Sequence, residues 1–282
     1  MFNPHDLQHV HLPEYFAQQE IERREALYRQ ACQLATAVAT TSRQVKDDVV
    51  RQYQLPPEKV EVIWWGSPAQ AYPRPSSRQV EKVLERHNLS PGFAIYPAQT
   101  WPHKNHLGLL EALHLLRQRG LRVNLVCTGR PTDHYSAIEQ RLAKLKLGDQ
   151  VRFLGQIPEL ELMALYQAAK LMVVPTLFEA GSFPVFEAFS EKLAVCCSRV
   201  TSLPEQVGDA GLLFDPHDPN DMAKALGSLY EEEELRQELV RRGSRQLGKF
   251  SWQQTAQQYR QLYHRVAGGS STKNYVAADQ AT

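Results

Sequence analysis

Charge of one sign is what this chain lacks. Thirty-two Lys and Arg against 31 Asp and Glu leave a formal +1, so no overall field draws it to nucleic acid or to an anionic membrane. Any phosphate binding has to be local. Cysteine is scarce: Cys32, Cys127 and the adjacent Cys196 and Cys197 form no CxxC or Cys/His spacing. That argues against zinc and reads as buried, reduced thiols. No window approaches the roughly 18 consecutive apolar residues of a membrane span, and the first ten residues show no basic segment followed by an apolar run. A cytoplasmic protein is the expectation. Repeats and low-complexity stretches are also missing. What is present is 282 residues, 43% of them hydrophobic, enough to bury at least one substantial core.

The first part of the chain reads helix (18–34), strand (37–41), a helix capped by Ser42 and ending near Tyr53, then strand (59–65). Residues 66–77, rich in Pro, Ser and Ala, suit a linker. After a helix at 77–88 the pattern alternates strictly: strands at 93–97, 122–127, 150–153, 171–175 and 194–198 between helices at 105–119, 135–145, 159–169 and 184–191. Short, continuously apolar strands between amphipathic helices predict a parallel sheet covered on both faces, an α/β doubly wound domain. The rest is expected to be helical, at 218–247 and 251–266, with a mobile small-polar tail after Gly268.

In such a sheet, ligands sit beyond the carboxyl ends of the strands, so the βα loops carry the chemistry. The most informative runs from Pro175 to Ala188. Gly181 allows close backbone approach, and Pro184 suits the first helical position. The helix start offers free amides and the positive end of its dipole. Glu179 and Glu187 could each accept two hydroxyl hydrogen bonds from a sugar diol. An isolated pair of this kind reads as a capped helix with solvated glutamates; the Gly-Ser-Phe-Pro context favours the ligand. In the loop Ala98 to His106, Lys104 at a helix start is electrostatically misplaced unless an anion is near, although a snorkelling surface lysine suits this loop equally well. Residues Thr128, Gly129, Arg130 and Pro131 fit a nucleotide contact and an ordinary turn alike. Ser202, Leu203, Pro204 and Glu205 form another helix start, with the acidic first turn of routine capping.

Taken in order, His5-Asp6, Lys104-Asn105, Phe153-Leu154-Gly155, the E-x7-E from Glu179 to Glu187, Leu203-Pro204-Glu205 and Phe250-Ser251-Trp252 resemble the retaining glycosyltransferase family four of the GT-B fold, especially its bacterial mannosyltransferase-like members. The resemblance implies one complete Rossmann-type donor domain (67–250), a remnant of an N-terminal acceptor-side domain (1–66), and a crossover helix with tail (251–282). It implies that Lys104 contacts the donor diphosphate and that Glu179 binds hydroxyls of the transferred sugar. Ala180, Gly181, Ser182 and Phe183 would line sugar and phosphate, and Glu187 would hold the ribose. Gln99, Gly129 and Arg130 would lie at the donor, Phe153 and Gly155 near the base, and His5 at the donor sugar. No cofactor and no metal is implied beyond the nucleoside-diphosphate sugar itself, with GDP-mannose preferred. The partners implied are a sugar or glycolipid acceptor, as in polysaccharide biosynthesis, and peripheral membrane contact, without nucleic acid.

Three departures qualify this. Gln99 stands where family members commonly have an arginine, leaving Arg130 and His103 to compensate. Trp64-Trp65-Gly66 replaces the usual Pro-Asn-Gly, so indoles are expected in the interdomain cleft. Only four residues precede His5, too few for the strand and sheet that normally support it. The N-terminal domain is therefore expected to be a remnant, completed by another chain or not at all, and His5 to be a solvated histidine. Two other readings stay open: a nucleotide-sugar-binding module without transferase activity, and a sugar-nucleotide epimerase of similar shape.

Overall fold

The computed structural model describes residues 1–268; the tail expected after Gly268 lies outside the described residues. The N-terminal elements are α1 (Gln8–His11), α2 (Gln18–Leu34), β1 (Val38–Thr40), α3 (Arg43–Tyr53) and β2 (Val60–Val62). Ser42 caps α3 by accepting from the Val45 amide at 3.1 Å. β1 and β2 pair in parallel, Val38 opposite Val60. Phe2 adds a single parallel bridge to Val38. The residues ahead of His5 touch this sheet without adding a strand to it. Two backbone bonds, Phe2 N to Ala37 O at 3.1 Å and Ala39 N to Phe2 O at 2.9 Å, make a bridge and not a strand.

The larger body comprises α4 (Ser77–His87), β3 (Ala94–Pro97), α5 (His106–Gln118), β4 (Leu125–Thr128), α6 (Tyr135–Lys144), β5 (Val151–Phe153), α7 (Glu159–Ala168), β6 (Leu171–Val174), α8 (Phe183–Ser190), β7 (Ala194–Ser198), α9 (Leu203–Val207), β8 (Gly211–Phe214), α10 (Pro219–Glu231) and α11 (Glu233–Leu247), followed by α12 (Trp252–Val266). Its six strands are all parallel, in the order β5-β4-β3-β6-β7-β8. Every residue of β4, β6 and β7 is buried, as strands covered on both faces require. The chain starts this sheet in the middle, builds outward through β4 and β5, then returns to place β6 on the other side of β3. Between β3 and β6 the winding reverses, which opens a crevice at the carboxyl ends of those two strands.

Two features differ from the sequence-based expectation. β8 forms a sixth strand, unannounced because Gly-Leu-Leu-Phe carries no β-branched residue and three of its four positions are only half-buried. The helix expected over 218–247 breaks at Glu232, whose backbone is extended. Arg236 secures the break: its buried guanidinium donates to the Leu229 carbonyl at 2.6 Å and the Tyr230 carbonyl at 3.0 Å.

Several contacts tie the small and large sheets. Leu262 of α12 packs on Ala37, Ala39 and Ile63 of the small sheet, and Arg265 pairs with Glu61. The two indoles fill the space between the sheets, as expected: Trp64 packs edge-on against Phe250 at 5.2 Å, and Trp65 stacks on Phe183 at 5.2 Å. Glu205 of α9 accepts from the Arg43 and Gln44 amides at 3.2 and 2.8 Å, so it caps α3 across the gap rather than its own helix. All four cysteines are buried and free.

Candidate functional site

At the carboxyl ends of β3 and β6 lies a cavity of about 220 Å³, lined by Tyr96, Pro97, Ala98, Lys104, Val174, Glu179, Gly181, Ser182, Phe183 and Pro184. It occupies the crevice that the strand order opens. Lys104 and Glu179, which the sequence places 75 positions apart, meet there with Nζ to Oε2 at 2.8 Å. Lys104 sits at the end of a 3-10 turn (Pro102–Lys104), and Asn105, in the left-handed region at φ 55°, caps α5 by accepting from the Gly108 amide. The same Asn105 side chain donates to the Pro175 and Pro216 carbonyls, both at 3.0 Å. The His103 carbonyl accepts from the Leu177 amide at 2.7 Å and the Thr176 hydroxyl at 3.1 Å. The lysine loop and the glutamate loop are therefore laced together, and the Tyr96 hydroxyl holds the Lys104 carbonyl at 2.8 Å. The glutamate carboxylate supplies the negative charge whose absence would make a lysine near a helix start unfavourable.

α8 begins at the cavity with Ser182 as its N-cap and Pro184 in its first turn. Among the described residues the Gly181 and Phe183 amides have no hydrogen-bond acceptor. Ser182 differs from expectation: its amide donates to Gln206 Oε1 at 2.9 Å, and its carbonyl accepts from Gln206 Nε2 at 2.6 Å. Its backbone is engaged by protein and is not on offer to a ligand. Ala180 lies between, its carbonyl taken by the Thr41 hydroxyl at 3.1 Å.

The loops after β4 and β5 run beside the cavity without lining it. Gly129 has φ 118°, and a Cβ there would stand 2.5 Å from the Ala98 carbonyl, so only glycine lets the two loops touch. Its amide donates to the Gly155 carbonyl at 2.8 Å. Phe153 packs its ring at 5.4 Å from Tyr135 and 5.9 Å from His106. Gln99 is exposed and accepts from the Trp101 indole N–H at 3.0 Å. Arg130 is exposed.

Two expectations, for Glu187 and His103, need correction. Glu187 does not reach the cavity. It is 5% exposed, accepts from the Tyr166 hydroxyl at 2.7 Å and is also engaged by Tyr72. Burial pushes its carboxyl above the usual range, against the two tyrosine hydroxyls. His5 is exposed, in line with the expectation of a solvated histidine: its backbone is left-handed and its ring lies 6.4 Å from Trp65, outside the cavity lining. His103 cannot replace the missing arginine, because burial first and the Lys104 charge second hold its pKa at about 4, leaving it neutral at pH 7.

Sequence reasoning read Ser202 only as a helix start and missed Thr201 and Gln206, which with it hold the glutamate loop, and Tyr72, which engages Glu187. A Thr-Ser pair ahead of Leu-Pro-Glu signals a helix start, but nothing local says what its hydroxyls grip.

His106 gives a prediction of its own. It is 2% exposed, neither ring nitrogen has a partner among the described residues, and burial holds its pKa at about 3. A base depressed in the fold contributes stability that is present above its unfolded pKa and lost as pH falls. The melting midpoint should therefore drop between about pH 6.5 and 3. His106→Met keeps an apolar ring-sized volume and removes the orphan nitrogens. It is expected to raise stability at pH 7 by about 1 to 3 kcal/mol and to flatten the acid decline. An unchanged pH profile in calorimetric scans of the variant would count against this account.

A doubly wound sheet with the order 3-2-1-4-5-6 and charged loops at its switch point defines a Rossmann-type ligand-binding body. The family model described as Glycosyl transferases group 1 matches residues 77–246, and the chain belongs to that family. It is 30% identical over 251 residues to the Escherichia coli O-antigen chain mannosyltransferase B, covering 88% of this chain and 66% of that one. The chain spans about three fifths to two thirds of the length of the curated relatives it matches. Among solved structures, sucrose-phosphate synthase from Thermosynechococcus elongatus matches with a TM-score of 0.79 at 23% identity, covering 95% of this chain and 68% of that one. An Anabaena protein crystallised with UDP and glucose matches with a TM-score of 0.76 at 18% identity, covering 89% of this chain and 68% of that one. These likenesses establish the GT-B fold. No helix among the described residues is long and apolar enough to cross a membrane.

Proposed function

We propose that this chain binds a nucleoside-diphosphate sugar along the carboxyl rim of the large sheet and serves hexosyl transfer, mannosyl from GDP-mannose in the leading reading, to an acceptor hydroxyl with retention. The observation that carries this reading is the Lys104–Glu179 pair, 2.8 Å apart at the switch point beside the start of α8. An ammonium and a carboxylate in one crevice match the two ends of a sugar diphosphate: anionic oxygens for the lysine, hydroxyls for the glutamate. The mannosyltransferase relative supports the sugar, and the UDP and glucose of the Anabaena neighbour support the ligand class. At about 220 Å³ the cavity is smaller than the roughly 300 Å³ or more of a typical whole-ligand pocket. It suits the sugar and diphosphate, with the nucleoside lying over the Gly129 and Phe153 loops.

In the reaction the bond from the anomeric carbon to the diphosphate oxygen breaks and one from that carbon to the acceptor hydroxyl oxygen forms, the acceptor proton ending on the released diphosphate, with oxocarbenium character on the sugar and growing negative charge on the leaving group. The Lys104 ammonium and the Gly181 and Phe183 amides at the start of α8 are the groups that would meet that charge and stabilise it electrostatically. When Lys104 turns to the diphosphate, Glu179 is released to accept two sugar hydroxyls. No metal ion is required for this division of labour.

The test is a panel of GDP-mannose, UDP-glucose, GDP and UDP followed by calorimetry and by product analysis with a sugar acceptor. Binding of one donor together with a glycosylated product supports the reading, and no binding by any of the four rejects it. Binding without product would favour a nucleotide-sugar-binding module. A ribose role for Glu187 requires Tyr72 to move aside. On that account Glu187→Ala weakens the ribonucleotide by about 1 to 2 kcal/mol and leaves its 2′-deoxy analogue nearly unchanged; equal losses for both would remove the assignment.

A further inference from the structure

The glutamate loop is suspended from the segment between β7 and α9 by an unusual set of bonds. The Thr201 hydroxyl accepts from the Glu179 amide at 3.0 Å and donates to the Glu179 carbonyl at 2.6 Å. The Ser202 hydroxyl donates to that same carbonyl at 2.7 Å, and the Ser202 amide lies 3.3 Å from it. Four residues after Ser202, the fully buried Gln206 side chain takes both the amide and the carbonyl of Ser182. Both ends of the turn that carries Glu179 into the cavity are therefore fixed by side chains from one neighbouring segment.

Residue type shows what this segment is built for. Thr201 lies in the left-handed region, φ 46°, where a β-branched residue is an outlier and glycine or asparagine fits without strain. A threonine held there loses conformational ease and gains only its hydroxyl, and that hydroxyl is spent on both backbone groups of Glu179. We infer that Thr201, assisted by Ser202 and Gln206, is a positioning residue that sets the Glu179 carboxylate for the donor sugar. The inference rests on the donor-site reading above for its functional half, and on geometry alone for its structural half.

Three variants separate this role from plain packing. Thr201→Val keeps the shape and loses the hydroxyl, Thr201→Ser keeps the hydroxyl, and Thr201→Gly suits the backbone and loses the hydroxyl. The readouts are amide exchange of the peptide containing Glu179, Kd for GDP and UDP, and kcat and KM for turnover of GDP-mannose and UDP-glucose. Thr201→Val is expected to speed exchange of the Glu179 amide by about tenfold or more, since the opening of that turn loses two bonds. It should lower kcat by roughly 100-fold, the effect of an ångström-scale misplacement of a reacting group, while nucleotide Kd stays within about threefold. Thr201→Ser restores both to near wild type, and Thr201→Gly behaves like the valine variant even though it melts no lower. Wild-type exchange and kcat in Thr201→Val would overturn the inference. If the unmodified chain turns over neither donor, the donor-site reading fails by itself. Exchange then decides: faster in valine and restored in serine supports the positioning role, and no difference rejects it.

Discussion

Lys104→Ala is expected to weaken nucleoside-diphosphate binding by about 1 to 3 kcal/mol, roughly five- to 150-fold, the loss associated with one charge-assisted hydrogen bond. Two consequences of the geometry make the prediction specific. Among the described residues Lys104 is the only ammonium lining the cavity, Arg130 is exposed and outside that lining, and His103 is uncharged at pH 7 because burial holds its pKa at about 4. The loss should therefore appear for GDP or UDP and be nearly absent for the unphosphorylated nucleoside. Transfer should fall further than binding, by roughly 100- to 1000-fold, because charge on the leaving diphosphate is greatest in the transition state. The variant also leaves the Glu179 carboxylate, 2.8 Å away in the wild type, without its counter-charge, so Lys104→Arg is the informative companion: it keeps the charge and alters the reach. Titration calorimetry showing equal GDP affinity for wild type and Lys104→Ala would dismiss the diphosphate role.

Gly66→Ala is the second large effect, and it concerns the joint between the sheets. A Cβ on Gly66 would stand 2.2 Å from the Trp252 amide nitrogen and 2.7 Å from both the Ser251 carbonyl carbon and the Trp252 Cα. All three are backbone atoms at the start of α12, so no side chain can turn away to relieve the overlap. The helix has to shift, which loosens Leu262 from Ala37, Ala39 and Ile63 and strains the bond from the Thr255 hydroxyl to the Trp64 carbonyl, 2.7 Å. A destabilisation of roughly 3 kcal/mol follows, at the upper end of what overpacking costs, or about 6 to 12 °C in midpoint at this size. Gly148→Ala is the control: nothing lies within 4 Å of its Cβ and its φ is ordinary, so its midpoint should stay within about 2 °C. Equal behaviour of the two variants in thermal scans would show that the joint is softer than its geometry implies.

The parts of this fold legible in the sequence were those decided locally. Leu171 to Val174 and Ala194 to Ser198 are runs that only a doubly covered strand accommodates, and Ser42, Asn105 and Ser251 announced helix starts that the structure caps with their side chains. Lys104 and Glu179 could be read because βα loops of a parallel sheet share one rim. Distance in sequence hid the rest. Glu205 looked like the acidic first turn of its own helix, and it caps a helix 161 positions away. Glu187 was misplaced because α8, Phe-Pro-Val-Phe-Glu-Ala-Phe-Ser, is apolar nearly all round, so periodicity could not say that its glutamate turns toward Tyr166 and away from the cavity. His103 was counted as a cation because composition carries no information on burial.

Glu205 and Gln206 are neighbours on a five-residue helix, yet one grips α3 and the other grips the Ser182 backbone. The first grip is two amide bonds at the protein surface, and the second is fully enclosed. The small layer also holds the turn itself, through the Thr41 hydroxyl on the Ala180 carbonyl and Trp65 on Phe183, one residue either side of the Gly181–Ser182 pair. What disturbs the small layer is therefore felt at the turn that carries Glu179.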